Sequence, residues 1–164
     1  MATKTAIVTL ADDDMRFDAV VGSGHTIVFD DGRNDAGSRP AELLGAALAA
    51  CTAMDVISIL RKKRQAVTHY EVWVSGHQRE QRPHAFSSFE VVHVVDGKGV
   101  DPEAVRRSIE LSATKYCSVG STLATGALEI RHTYLLRDED GTERTGEVCV
   151  IGPNASPDGE APPS

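Results

Sequence analysis

The stretch from Arg39 to Arg64, RPAELLGAALAACTAMDVISILRKKR, constrains this chain more than any other. Pro40 suits a first helical turn, because the N–H it lacks would have no partner there. Glu42 favours the positive end of the helix dipole, and the basic cluster Arg61–Arg64 favours the negative end. Leu43, Ala46, Ala47, Ala50, Met54, Ile57 and Leu60 fall at helical spacing, while Leu44, Ala49, Ala53 and Val56 make much of the opposite face apolar too. A helix apolar almost all round belongs in an interior. Gly45 and the alanines allow another backbone to approach closely, so the helix is predicted to be wrapped by sheet or buried in a dimer.

With 164 residues, 41% of them hydrophobic, the chain is expected to form one domain with its own core, over residues 1–143. The formal net charge of −7 argues against nucleic acid as a partner, since such proteins usually carry a basic patch. Arg61–Arg64 is better explained as a helix-end cluster. The start, MATKTAIVTLADDD, has no apolar segment behind a basic one, so no secretory signal is read there. No apolar run long enough to span a bilayer is free of charge, and no membrane partner is expected. The expected compartment is the cytoplasm, where Cys51, Cys117 and Cys149 are reduced by default and a disulfide would be transient.

Around the helix the sequence predicts short strands. Thr5–Leu10 is β-prone and is followed by the polar turn ADDD. Met15–Val21 and His25–Phe29 flank Gly22-Ser23-Gly24 as a hairpin. Tyr70–Gly76 and Phe86–Val95 alternate as strands, and Leu128–Leu136 reads as the last one. Asp101, Pro102 and Glu103 open a second helix reaching Tyr116, and Ser118–Thr125 suits a short third one. Residues 144–164, rich in polar residues and proline, are expected to be a poorly ordered tail in which Cys149 is incidental.

Two cysteines carry the chemistry. Cys51 lies mid-helix among alanines, where a free cysteine is often a small buried hydrophobe. Cys117 stands between two predicted helices, at a helix N-terminus and beside Lys115, a setting that favours a thiolate. No CxxC or His pair gives zinc-finger spacing, so the spacing carries no metal signal. Nothing selects one of the six histidines as a base for a cysteine nucleophile. Asp55 shares a helix face with Cys51. A carboxylate beside a thiol opposes its ionisation, so Asp55 is read as an ordinary helix carboxylate paired to Arg or Lys. Trp73 and Phe86 are read as core residues.

The phrases PAELLGAALAACTAMDVISILRK and KYCSVGSTL resemble the OsmC/Ohr family, the osmotically inducible and organic-hydroperoxide-resistance proteins. SGH with the following IVFD, and PHAFSSFEVVHVV, extend the resemblance over about Met15 to Tyr134. The pattern CxxxDVxxIL and the phrase KYCSV are similar to its OsmC-like branch. The resemblance implies an α+β fold in which antiparallel sheets wrap a buried central helix and two subunits intertwine as a homodimer. It implies that Cys51 is the peroxidatic thiolate, reducing an organic hydroperoxide or hydrogen peroxide and becoming a sulfenic acid. Cys117 would resolve that acid as a disulfide. A dithiol reductant, lipoyl-type in some members, would restore the pair, with no metal, haem or flavin cofactor.

Peroxidase branches place a glutamate directly after the helix-opening proline and an arginine on the early strand. Here Ala41 and Gly22 hold those positions. Glu42, with Arg39 or Arg16, is therefore assigned the activating role. The alternative reading is a redox-sensing or small-ligand-binding dimer without peroxidase turnover. A third is a structural dimer with inert cysteines.

Overall fold

The computed structural model describes residues 3–11, 14–126 and 128–152. Asp12 and Asp13 of the polar turn, and residues 153–164 of the expected tail, lie outside the described residues. The chain divides into two compact units, Met1–Leu44 and Gly45–Ser164.

The first unit is a three-stranded antiparallel meander of β1 (Ala6–Leu10), β2 (Phe17–Val21) and β3 (Thr26–Phe29). Its register sets Leu10 against Phe17 and Phe17 against Phe29. The Gly22–Gly24 segment turns the hairpin, with Gly24 at φ 84°, a conformation that glycine adopts without strain. Beyond β3, Asp30 is buried and its carboxylate gathers the backbone N–H groups of Gly32, Ala36 and Gly37. Those bonds favour the charged form and hold its pKa below the usual value, against the opposing effect of burial.

The second unit contains most of α1 (Glu42–Lys62) and a four-stranded sheet in the order β4 (Val67–Gln78), β5 (Phe86–Gly97), β6 (Glu129–Asp138), β7 (Glu143–Ile151). Between β5 and β6 come α2 (Pro102–Leu111), a π-helical turn at Ser112–Tyr116, and α3 (Ser118–Leu123). That crossover makes β5 and β6 parallel, so the sheet is mixed rather than antiparallel throughout as expected. Another departure is β7. Glu143–Ile151 pairs along β6, so residues 144–151 of the expected loose tail are a strand, and Cys149 faces His132 across the ladder. The apolar run Val148–Ile151 is short, and the charged and polar residues Glu143–Glu147 before it mask the strand in sequence.

Within one chain, α1 is buried along one row rather than all round. One row, Leu48, Thr52, Val56 and Leu60, is inaccessible, whereas Met54 is 67% and Leu44 42% exposed. Residues four apart lie on one face, and this face meets the unit's core. Val56 and Leu60 join Val95, Val105, Ile109 and Leu136; Leu48 joins Phe89, Val91, Cys117 and Ile130. By length and composition α1 could cross a membrane, but this row is part of a protein core. Phe86 packs on Phe89 with centroids 4.6 Å apart, as a core residue should, while Trp73 is 49% exposed.

The predicted second helix changes character before its end. Asp101 caps α2 by accepting from the Glu103 N–H at 3.0 Å, and Pro102 follows it. At Ser112 the spacing widens, so that the Cys117 N–H donates to the Ser112 carbonyl five residues back. Thr114 Oγ1 donates to the Glu110 carbonyl, a side-chain bond that competes with regular helix bonding.

The core also encloses two histidines. His93 and His132 are 0% and 1% exposed. Tyr70 Oη lies 2.8 Å from His93 Nδ1, and His93 Nε2 lies 3.3 Å from His132 Nδ1. His132 Nε2 ends the chain with no hydrogen-bond partner among the described residues. Burial pushes both imidazoles down from 6.5, His93 to about 3 with His132 contributing, and His132 to about 4. Both rings are neutral in the fold, and their contribution to stability is complete only above pH 6.5. As pH falls toward the folded values, each charges more readily in the unfolded chain, at about 1.4 kcal/mol per pH unit. Urea unfolding should show stability declining between pH 6.5 and 4. The decline should be shallower in His132→Leu; an equal slope in that variant would refute neutral burial of this ring.

Candidate active site

The site forms where α1 meets the end of the π-helical turn. Cys51 and Asp55 are one helical turn apart on α1, flanking its buried row. Cys117 is the residue at which the π-helical turn ends and α3 begins, and its sulfur accepts the Gly120 N–H at 3.2 Å. Cys51 Sγ, Cys117 Sγ and an Asp55 carboxylate oxygen all lie within 4.8 Å of one another. The thiols are free, Cys51 half-buried and Cys117 buried. Among the described residues this is the group of histidine, cysteine and acidic side chains whose donor atoms converge closely enough to hold a metal ion.

A hydroxyl chain fixes the carboxylate. Ser112 Oγ donates to Asp55 Oδ2 at 3.0 Å, and Thr52 Oγ1 stands 3.0 Å from the same Ser112 oxygen. Because the Ser112 proton is committed to Asp55, Thr52 is the donor of the second bond. Thr52 and Ser112 are both 0% exposed. Asp55 therefore does not follow its sequence reading as a helix carboxylate paired to a cation; its observed partner is a buried serine. It also borders a cleft of about 380 Å³ with Ser58, Ile59, Lys62, Leu111 and Tyr116.

Cys117 also departs from its sequence reading. Burial pushes its thiol up to about 12, the hydrogen bond with Cys51 acts in the same direction, and the Gly120 N–H opposes them only partly. Lys115, expected to favour a thiolate, lies over the Tyr116 ring at 5.5 Å from its centroid. Cys117 is a protonated thiol at neutral pH. Cys149 is pushed up to about 11, again chiefly by burial.

The other assigned residues lie in the first unit or at the start of α1, each engaged locally. Arg16 pairs with Asp18 at 3.2 Å, and Arg39 pairs with Asp35 at 3.1 Å. Glu42 Oε2 accepts the Arg39 N–H at 3.0 Å, closing the turn in which Pro40 and Ala41 precede the helix. The helix thus starts at Glu42 rather than at Pro40. Two groups that sequence reasoning passed over are Ser112 and Tyr70. Burial and the Asp55 charge together raise the Tyr70 pKa above its ordinary value. The four-residue spacing put Asp55 on the Cys51 face in advance, and nothing in the sequence signalled Ser112 or Tyr70.

Alkylation of the folded, reduced protein should report the asymmetry of the two thiols. Cys51 is expected to react with iodoacetamide at least about tenfold faster than Cys117 at pH 8, read by peptide mass mapping. Equal rates would contradict the buried, protonated state of Cys117.

A family model described as OsmC-like protein matches residues 32–133. Protein YhfA of Escherichia coli K12 is 39% identical over 112 residues, covering 68% of this chain and 83% of the relative. A crystal structure of a hypothetical protein from Aquifex aeolicus VF5 is similar at 28% identity and a TM-score of 0.72, covering 85% of this chain and 99% of that one. An organic hydroperoxide resistance protein from Elizabethkingia anophelis shares the fold at 15% identity and a TM-score of 0.58, covering 85% and 98% of the two chains. With the family match spanning more than half its length, and with two sheets, a long helix and the cysteine pair placed as described, this chain belongs to the OsmC/Ohr family.

Proposed function

We propose that the protein is a homodimeric, thiol-dependent hydroperoxide reductase in which Cys51 is the nucleophile and Cys117 the resolving thiol. The observation that carries this reading is the convergence of the two free sulfurs within 4.8 Å, one half-buried and one buried. The fold is also shared with a protein named for organic hydroperoxide resistance.

In the first step the Cys51 thiolate attacks the distal peroxide oxygen. The O–O bond breaks, Cys51 becomes a sulfenic acid, and the departing alkoxide or hydroxide takes up a proton to leave as alcohol or water. In the second, the Cys117 sulfur attacks the Cys51 sulfur, the S–O bond breaks, and the hydroxyl leaves as water. Cys117 starts as a thiol held up to about 12, so this step needs a base. Asp55, near both sulfurs and oriented by Ser112, takes the Cys117 proton and gives it to the departing hydroxyl. An external dithiol then returns the disulfide to two thiols by exchange, itself becoming oxidised. The cleft beside Asp55, walled by Ile59, Leu111 and Tyr116, offers room for the organic part of the peroxide. That Arg16, Arg39 and Glu42 activate the first step is part of this proposal and rests on the family resemblance alone.

The dimer is supported by apolar residues left uncovered within each unit. Ile7, Val8, Leu10 and Val20 of the meander are 71, 56, 54 and 46% exposed, and Met54 on α1 is 67% exposed. Such surface is what a partner subunit would cover.

The test is consumption of cumene hydroperoxide and hydrogen peroxide with dihydrolipoamide or dithiothreitol as donor. Cys51→Ser should abolish turnover, and Cys117→Ser should stop at a sulfenic acid that dimedone traps. Asp55→Asn should slow disulfide formation by about 10²-fold or more, leaving the first oxidation step much less affected. A wild-type protein that consumes neither peroxide with either donor refutes the proposal; reversible disulfide formation without turnover would instead establish the redox-sensing reading.

A further inference from the structure

We infer that the reduced protein binds a thiophilic divalent cation, of the Zn²⁺ class, through Cys51, Asp55 and Cys117. The sequence spacing gives no such signal, because the third donor comes from a distant segment. The fold nevertheless supplies what a zinc site requires. Two sulfurs and a carboxylate oxygen converge within 4.8 Å. Tetrahedral zinc with bonds of about 2.3 Å to sulfur and about 2.0 Å to oxygen places ligand atoms about 3.5–3.8 Å apart. The donors need draw in by only about 1 Å, a shift available to side-chain rotation about Cα–Cβ.

Three features make this more than proximity. Cys51 and Asp55 project from successive turns of one rigid helix, so two of the donors share a fixed spacing. Asp55 is already oriented by an outer hydrogen-bonding shell, since Ser112 Oγ holds Oδ2 and is itself held by Thr52. Ligating carboxylates in metal sites are characteristically fixed in this way, and here the Oδ1 atom is not engaged by Ser112. Cys117 is held by its position between the π-helical turn and α3, with the Gly120 N–H directed at its sulfur. An N–H bond to sulfur is compatible with a metal-bound thiolate. Three protein ligands leave a fourth tetrahedral position for water or an added ligand. Ligation releases the proton of each thiol.

Because the same two sulfurs form the disulfide, cation and disulfide exclude one another. The inference goes beyond the peroxidase reading and does not require it.

The test is zinc titration of the freshly reduced, full-length protein against a chromophoric chelator. Cd²⁺ provides the parallel readout, through the ultraviolet charge-transfer absorbance of two thiolates per metal. One Zn²⁺ per chain is expected, with Cys51 and Cys117 protected from thiol reagents and Cys149 still reactive after unfolding in a metal-free control. Cys51→Ser, Cys117→Ser and Asp55→Asn should each weaken binding at least about a hundredfold. Ser112→Ala, which retains all three ligands, should weaken it about tenfold. Circular dichroism of each variant establishes that it is folded. Oxidation to the Cys51–Cys117 disulfide should release the cation. Absence of stoichiometric binding, undiminished binding by Asp55→Asn, or loss of binding only in Cys149→Ser overturns the inference. Peroxide turnover without zinc binding would refute this site and leave the peroxidase reading standing; zinc binding without turnover would do the reverse.

Discussion

The contact on which the site depends is the buried row of α1 against the second unit's core. Leu48, Thr52, Val56 and Leu60 fix the rotation of the helix about its own axis. A shift of one residue around that axis, about 100°, would carry Cys51 away from Cys117. Three of the four positions are aliphatic and locate the helix through close packing. Thr52 adds a directional bond to Ser112, which also holds Asp55. The same interface that buries apolar surface thus sets the bearing of the sulfur and the carboxylate.

Polar groups inside a small core are expensive unless bonded, and this core contains two chains of them. The Thr52–Ser112–Asp55 chain has matching donors and acceptors and ends on a carboxylate that reaches the site. The Tyr70–His93–His132 chain ends at a ring nitrogen without a partner among the described residues. An unsatisfied buried polar atom costs about 1–3 kcal/mol. Tyr70 belongs to the second chain yet feels the charge of Asp55, so the two chains are electrostatically linked near the cysteines.

Local signals along the chain specify the elements that they govern directly. The helix-rich run around Cys51, the Asp101-Pro102 cap and the alternating strands all depend on neighbours close in sequence. The parallel pairing of β5 and β6, the strand at Glu143–Ile151 and the π-helical turn depend on what lies across the fold. Trp73 illustrates the limit, because an aromatic residue in an alternating strand can face either way, and here it is 49% exposed. The two cysteines were identifiable by their settings, and the family resemblance paired them. Asp55 was misread because helix spacing shows which residues share a face, while its partner Ser112 comes from another segment. His93 and His132 likewise gain their meaning only from strand register, which sets β5 beside β6.

The contrast between the two thiols also had the opposite sign in the sequence. A helix N-terminus and Lys115 favour a thiolate at Cys117, and both are present. Yet the ammonium of Lys115 lies over Tyr116, and the Gly120 N–H is one hydrogen bond set against the burial of a residue that is 3% exposed. Burial wins because removing water penalises an anion in every direction, whereas one donor compensates it in only one. The Asp55 carboxylate and the bond with Cys51 press the same way. A buried thiol kept protonated is poorly suited to initiate chemistry and well suited to complete it, provided a base stands within reach. In the proposed reaction Asp55 would meet that condition, because Ser112 holds it near both sulfurs, and the carboxylate that opposes ionisation of Cys117 at rest would then be the group that removes its proton.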